Sequence, residues 1–338
     1  MILGGFSEQI WRSRSWRAAA LALVFALLAT NILPGPRPGM AGPGEADLSY
    51  TPVQLAADDP GRRDVGRLHF LGGWELASPD RRFGGLSGLR VDGSQATAVS
   101  DAGMVMTFPL PGASAAPRVR FLPVIEGPGP ERRRTTRDTE GLWVEGNRLW
   151  LTFERQNAVW RYDRATLRAE TGAQPAPLRG WRGNSGAEAI ARFADGRFLV
   201  LEEGRDNGST ASTAVVFGGD PAVPGTPWMR LTYRRPAGYR ATDAAPLPDG
   251  RVLILNRGLL GLRLSAKLVV ADVRGLQPGG TLAGEEVATL AAPLVVDNME
   301  GVAVTQENGH IIVWLVSDDD FMRLFRRTLL LKFELRLR

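Results

Sequence analysis

The sequence contains no cysteine. Disulfides, thiolate zinc sites, iron–sulfur clusters and cysteine nucleophiles are therefore excluded. Histidine is nearly as scarce, at His69 and His310 alone. That leaves little for a Ser-His-Asp triad, and both residues read as structural. Lysine occurs only at Lys267 and Lys332, so nearly all the positive charge is arginine. The arginine fork suits carboxylate or phosphate. There is no Walker-type phosphate loop and no G-x-S-x-G elbow. No amphipathic helical period follows residue 40, which argues against an α/β fold. The formal charge is only +5 over 338 residues, with no long basic helix, so nucleic-acid binding is not indicated.

What is abundant is turn chemistry. The chain has 40 Gly and 23 Pro, which many short strands require. At the N-terminus, Arg12, Arg14 and Arg17 precede an apolar run from Ala18 to Leu33, and Pro34, Pro36 and Pro38 follow it. A basic flank, a short apolar stretch and a helix-breaking exit predict an export signal over 1–33. No clean A-x-A cleavage site follows, so an uncleaved inner-membrane anchor is equally consistent. The expected location is the periplasm or the exterior, with anchoring to the inner membrane as the second form. Residues 34–64, rich in Pro, Gly, Ala and Asp, read as a linker. The folded domain is expected over 65–338.

Five segments of that domain align with one another: GGLSGLRVDGSQATAVSDAG, DTEGLWVEGNRLWLTFER, SGAEAIARFADGRFLVLEEG, ATDAAPLPDGRVLILNRG and NMEGVAVTQENGHIIVWLVSDDD. Each begins with a small or acidic marker: Ser87, Glu140, Glu188, Asp243 or Glu300. A short apolar strand follows, then a turn such as Asp92-Gly93, Asp195-Gly196 or Asp249-Gly250, then a stronger apolar strand ending in polar residues. Asp-Gly between apolar runs is a strong hairpin signal. The markers lie 53, 48, 55 and 57 residues apart. That period holds four strands and matches a propeller blade. The expected fold is all-β: a β-propeller of five four-stranded blades, or six if weak strands have been merged. RLHFLGGWEL, near the start of the domain, is expected to complete the last blade beside TLLLKFEL and so close the ring.

In a propeller, corresponding strand ends cluster at the mouth of the central channel. The repeat phase therefore predicts a ring of Glu140, Glu188, Asp243 and Glu300, with Ser87 in the fifth place. A second set falls at the ends of the following strands: Asp101, Glu154, Glu202, Glu203, Asn256, Asp318 and Asp319. So many carboxylates in a small volume must raise their pKa, pair with arginine or bind a cation. Oxygen donors without His or Cys suit calcium or magnesium. The expected assignments are Glu140, Glu188 and Glu300 as catalytic groups. Asp101, Glu154, Glu202, Asp243, Asp318 and Asp319 are the expected metal ligands. Arg137, Arg155 and Arg257 are the expected substrate-binding cations. The blander account is that these acids cap backbone amides or pair with arginine to hold blades in register; for any one residue the two accounts weigh about equally. Likewise ERRRTTR, residues 131–137, either steers anions to the mouth or is a solvated loop.

The segments FGGLSGL, AVSD, DTEGL, GAEAIARFADGRFLVLEE, NMEGVAV, WLVSDDDF and RTLLLKFEL, in this order, resemble the bacterial phytase-like proteins with esterase-like activity. The resemblance runs from about Val65 to Leu335. It implies a periplasmic or secreted β-propeller that hydrolyses a phosphate or carboxylic ester. Calcium is the cofactor expected, with a water activated by it as the nucleophile and a small anionic ester or phosphoester as substrate. In the last motif the resemblance implies Asn where this chain has Asp320. Two rival readings stand beside it. One is a non-catalytic binding propeller of the cell envelope. The other gives the carboxylates a purely structural role.

Overall fold

Short runs of branched and aromatic residues, interrupted by Asp-Gly and Asn-Gly, favour hairpins over helices. A computed structural model describes residues 42–123, 125–128, 138–204, 209–323 and 325–337, and these runs form five sheets. The described chain begins with β1 (Gly44–Asp47), β2 (Ser49–Pro52), β3 (Asp64–Val65) and β4 (Leu68–Ala77). The first blade follows, from its inner strand outward: β5 (Leu86–Asp92), β6 (Gln95–Ser100), β7 (Val105–Pro109) and β8 (Arg118–Phe121). The second is β9 (Thr139–Glu145), β10 (Arg148–Phe153), β11 (Ala158–Asp163) and β12 (Ala169–Ala173). The third is β13 (Ala187–Arg192), β14 (Phe198–Glu202), β15 (Ala211–Phe217) and β16 (Trp228–Arg234). The fourth starts with β17 (Tyr239–Pro246), β18 (Val252–Leu260) and β19 (Arg263–Ala271). The chain then lends β20 (Thr281–Leu282) to the third blade, parallel to β16, before β21 (Gly284–Ala291) completes the fourth. The fifth holds β22 (Asn298–Glu307), β23 (His310–Asp318) and β24 (Thr328–Leu335).

The five inner strands touch in cyclic order, β22 returning to β5. Closure is as expected: β4 pairs antiparallel with β24, from Leu68 opposite Leu335 to Leu76 opposite Thr328. The protein is a five-bladed β-propeller. Among the described residues there is no α-helix, and no helix is long and apolar enough to cross a membrane. Within the expected linker 34–64, the described residues from 42 onward include two short strands that join blades. Here β1 extends the first blade outside β8, and β2 extends the fifth outside β4. Both are short polar edge strands with exposed residues, which composition alone does not separate from a linker. The expected signal or anchor lies outside the described residues.

Apolar packing is radial. Among the described residues there are five buried clusters, one between each pair of neighbouring blades. The second strand of each blade is buried on both faces, as in RLWLTF of β10 and IIVWLV of β23. Because stability is spread over five blade interfaces, the central axis needs no apolar filling and is left to polar side chains.

Candidate functional site

Each inner strand begins with a register shift. Ser87, Glu188, Thr242 and Glu300 are the unpaired residues in β5, β13, β17 and β22. In β9, Glu140 and Gly141 together face Thr152. A bulge re-aims the extra side chain, and here it does so at the same end of all five blades. In the first, second and fifth blades the residue after it is glycine. A Cβ on Gly88, Gly141 or Gly301 would press on the neighbouring inner strand, at Glu140 O, Glu188 O or Leu89 N, within 2.6–3.0 Å. That contact explains the Glu-Gly pairs of the repeat.

Three of the bulge residues are glutamates that gather at the mouth with Asp101, Glu154, Glu203 and Asp318, at or just past the ends of their second strands, and with Arg257 of β18. Carboxylate oxygens of Asp138, Glu140 and Glu154 lie within 4.8 Å of one another, and so do those of Glu154, Glu188 and Glu203. Glu154 belongs to both groups and is hydrogen-bonded to Glu188. Three arginines offset part of the charge. Arg257 lies 3.0 Å from Glu203 Oε1 through Nη2 and 2.8 Å from Glu300 Oε1 through Nε. Arg240 Nη1 is 3.0 Å from the same Glu203 oxygen, and Arg155 Nε donates to Asp138 Oδ2 at 2.7 Å.

The remaining charge is visible in the titration of the acids. Burial, then repulsion from Asp138, Glu154, Asp101 and Glu300, holds the Glu140 carboxyl well above its usual range. Glu188 is raised in the same way, by burial and then by Glu140. Burial, then Asp101 and Glu300, raises Asp318. Glu154 and Glu300 are each pushed up to about 7, mainly by burial; Asp138 adds to the rise of Glu154, and Arg257 limits that of Glu300. A carboxyl raised on folding binds its proton more tightly in the native state. Its contribution is therefore lost as pH rises from its unfolded value through its folded one. For Glu300 that loss is on the order of 3 kcal/mol between pH 4.5 and about 7. We expect urea midpoints measured in chelator to fall from pH 5 to pH 8, and added calcium to offset most of the fall. Flat midpoints over this range would contradict the crowding described. The lowered carboxyls, such as Asp80 beside Arg82 and Asp272 beside Arg274, titrate below this window.

The donors that converge are all carboxylate oxygens, with more acids than arginines. That combination fits a hard cation such as calcium or magnesium.

The structure places several of the expected residues away from the mouth or commits them to other partners. Asp243 does not join the mouth cluster. It sits one residue past the bulge, fully buried, and Oδ2 is 3.1 Å from Arg90 Nη1 and accepts from Val302 N at 2.9 Å, while Oδ1 accepts from Ala244 N at 2.8 Å. Both oxygens are committed, which leaves no free face for a metal ion. Thr242 occupies the bulge instead, and its hydroxyl bonds Met299 O at 3.3 Å. Ser87 does the same in the first blade, donating to Thr139 O at 2.7 Å. These two staple neighbouring blades. Glu202 faces a side cleft with Arg179, Trp181 and Arg230 and accepts from Thr213 N at 2.9 Å, so Glu203 supplies the carboxylate at the mouth. Asp319 organises a loop, accepting from Gly85 N, Phe321 N and Thr328 Oγ1. Asp320 has a left-handed backbone (φ 47°) and pairs with Arg326. Arg155 and Arg257 are at the mouth but are already engaged by acids; Arg137 lies outside the described residues. In the fifth blade's sheet, His69 on β4 pairs with Asp64 on β3, and His310 on β23 pairs with Glu334 on β24. Asp138 and Arg240 were not expected. Each lies two residues before a bulge, and period-2 alternation places such a residue on the bulge side chain's face.

No curated protein matches this chain. Among solved structures, Myxococcus xanthus glutaminyl cyclase is similar at 12% identity, with 80% of this chain and 97% of that one covered and a TM-score of 0.43. The N-terminal domain of Nup159 shares 9% identity over 88% of this chain and 97% of its own, with a TM-score of 0.36. The nidogen/laminin complex shares 9% over 81% and 88%, with a TM-score of 0.39. These likenesses are too distant to inform the chemistry. The sequence match is closer to the point: residues 81–321 match the phytase-like family, described by the esterase-like activity of phytase, and the protein belongs to that family.

Proposed function

We propose that this protein is an exported hydrolase of a small anionic ester or phosphoester, working with a hard divalent cation, calcium first, at the channel mouth. The observation that carries the proposal is the pair of overlapping acid groups, Asp138–Glu140–Glu154 and Glu154–Glu188–Glu203, in a member of a family named for ester hydrolysis. Those five carboxylates would hold the ion. Bound there, a divalent cation supplies positive charge that polarises a phosphoryl or acyl oxygen. The chain supplies the rest. Glu300, outside that ligand set and pushed up to about 7 mainly by burial, can accept or release a proton at neutral pH. Arg257 and Arg155 hold Glu300 and Asp138 in place and give an incoming anion a positive rim. Export rests on the basic flank and the apolar run of Ala18–Leu33, and a cysteine-free chain tolerates an oxidising compartment.

The test is turnover of p-nitrophenyl phosphate, p-nitrophenyl acetate and phytate by the full chain. We expect activity on at least one of them with calcium, its loss in chelator and its return when calcium is restored. A calcium-dependent rise in Tm with no turnover of any substrate would instead make the protein a binding module and overturn the proposal.

A further inference from the structure

The hairpin between β18 and β19 runs past the rim of the fourth blade. Beyond Arg257 it reads Gly-Leu-Leu-Gly-Leu-Arg-Leu, with no acid. Leu259, Leu260 and Leu262 at its tip are 57%, 60% and 96% exposed. The ladder continues to the end, pairing Leu259 with Leu264 and Leu260 with Arg263. Leu259 and Leu260 are thus held out by regular strand pairing, and Leu262 stands in the turn that joins the two strands. Leaving three adjacent leucines in water is unfavourable, and such a patch marks an interaction surface.

Topology says which face this is. β6 returns to the mouth at Asp101, β7 leaves it, and β8 returns to it at Phe121. β1 pairs antiparallel with β8, with Gly44 opposite Phe121. The chain before Gly44 therefore reaches the fold on the mouth side. β18 also runs toward the mouth, so the leucine tip projects on that same side. The loop that follows β23 leaves the mouth end as well, and it exposes Phe325 (50%) beside Arg323 and Arg326. Leu33, the end of the apolar run, is eleven residues before Gly44. An extended chain of that length reaches at most roughly 40 Å.

We propose that the leucine tip, at the mouth-side rim of the fourth blade, touches a lipid bilayer, with Leu259, Leu260 and Leu262 dipping into the interface and Arg263 meeting anionic headgroups. A convex leucine knob fits a fluid interface, which needs no complementary pocket, and the arginine-flanked, acid-free hairpin matches a negative surface. The inference does not depend on catalysis.

The absence of cysteine makes the test direct. Leu262→Cys is labelled with an environment-sensitive dye in the full chain, which is then reconstituted with phosphatidylethanolamine–phosphatidylglycerol vesicles containing doxyl-labelled lipid. A label at Ser94→Cys, on the exposed turn at the opposite end of the first blade, is the reference. We expect the Leu262 label to shift to the blue and to be quenched at least threefold more than the Ser94 label. Equal quenching at the two positions would overturn the proposal. So would a blue shift that appears without lipid and grows with protein concentration, which would assign the tip to contact with a second copy.

Discussion

Arg90→Met is expected to be the most damaging single substitution in the propeller, lowering stability by about 4 kcal/mol, the range for breaking a buried ion pair. The reason is that one side chain ties together the whole ring. The Arg90 guanidinium, buried on the channel axis, pairs with Asp243 of the fourth blade. It also donates to Val302 O of the fifth blade at 2.8 Å, Ile190 O of the third at 2.9 Å and Ala244 O of the fourth at 3.1 Å. It lies over the Trp143 ring of the second blade, 5.0 Å from its centroid. Methionine keeps the stem but leaves Asp243 charged in a dry site, where burial already raises its carboxyl, and leaves several inner-strand carbonyls without their donor. In a domain of this size the loss lowers Tm on the order of 10 °C. Arg90→Lys should recover little, because an ammonium cannot span three blades in one plane. The double variant Arg90→Met/Asp243→Asn removes the stranded charge and should regain roughly 2 kcal/mol. Urea midpoints of the four proteins decide the matter. A loss below about 1 kcal/mol for Arg90→Met would mean that the plug fills space without bracing the blades.

Arg90 also shows where sequence reading reaches its limit. The propeller was legible because a glycine-containing turn between paired apolar strands recurs five times at a regular period, three of the turns being Asp-Gly. The mouth acids Glu140, Glu188 and Glu300 were legible because they occupy the same phase of that repeat. Asp243 looked like their fourth member because it is acidic, but its distance to Asn256 is 13 residues where the first three hairpins gave 14. Starting from Thr242 corrects the phase and places a hydroxyl in the bulge. Glu202 was favoured over Glu203 for a related reason. Leu86 pairs with Ser100, fourteen residues on, whereas Ala187 pairs with Glu202, fifteen residues on. The extra residue moves the mouth position to Glu203. The plug itself has no repeated equivalent. Three residues past each bulge stand Arg90, Trp143, Ala191, Ala245 and Ala303. One arginine among three alanines is a trace of a single side chain filling shared space, and it becomes meaningful only once the ring is closed. On the far side of Arg90 the channel opens into a cavity of about 290 Å³ lined by Trp143, Ala245 and Ala303, so the acid-lined mouth ends at the plug.

Glu154→Gln should act in the opposite direction on stability and remove the function. Glu154 is the carboxylate shared by both acid groups, and burial together with Asp138 holds its proton to about pH 7. At pH 8 the native protein without cation must keep this group ionised beside Asp138 and Glu203, an arrangement that favours unfolding. The amide removes that charge while keeping the shape. In chelator at pH 8, Glu154→Gln should therefore be more stable than the wild type by roughly 1–2 kcal/mol. The same change deletes a donor common to both candidate ion positions. The calcium-induced rise in Tm should largely vanish, and ester hydrolysis should fall by roughly 100-fold or more. Glu202→Gln, on the side cleft, should leave both unchanged. A residue whose loss stabilises the fold while abolishing activity is one kept for function at the expense of stability. If Glu154→Gln instead weakens the fold and leaves the calcium response intact, the mouth carboxylates are braces between blades and the channel mouth is not the site of hydrolysis.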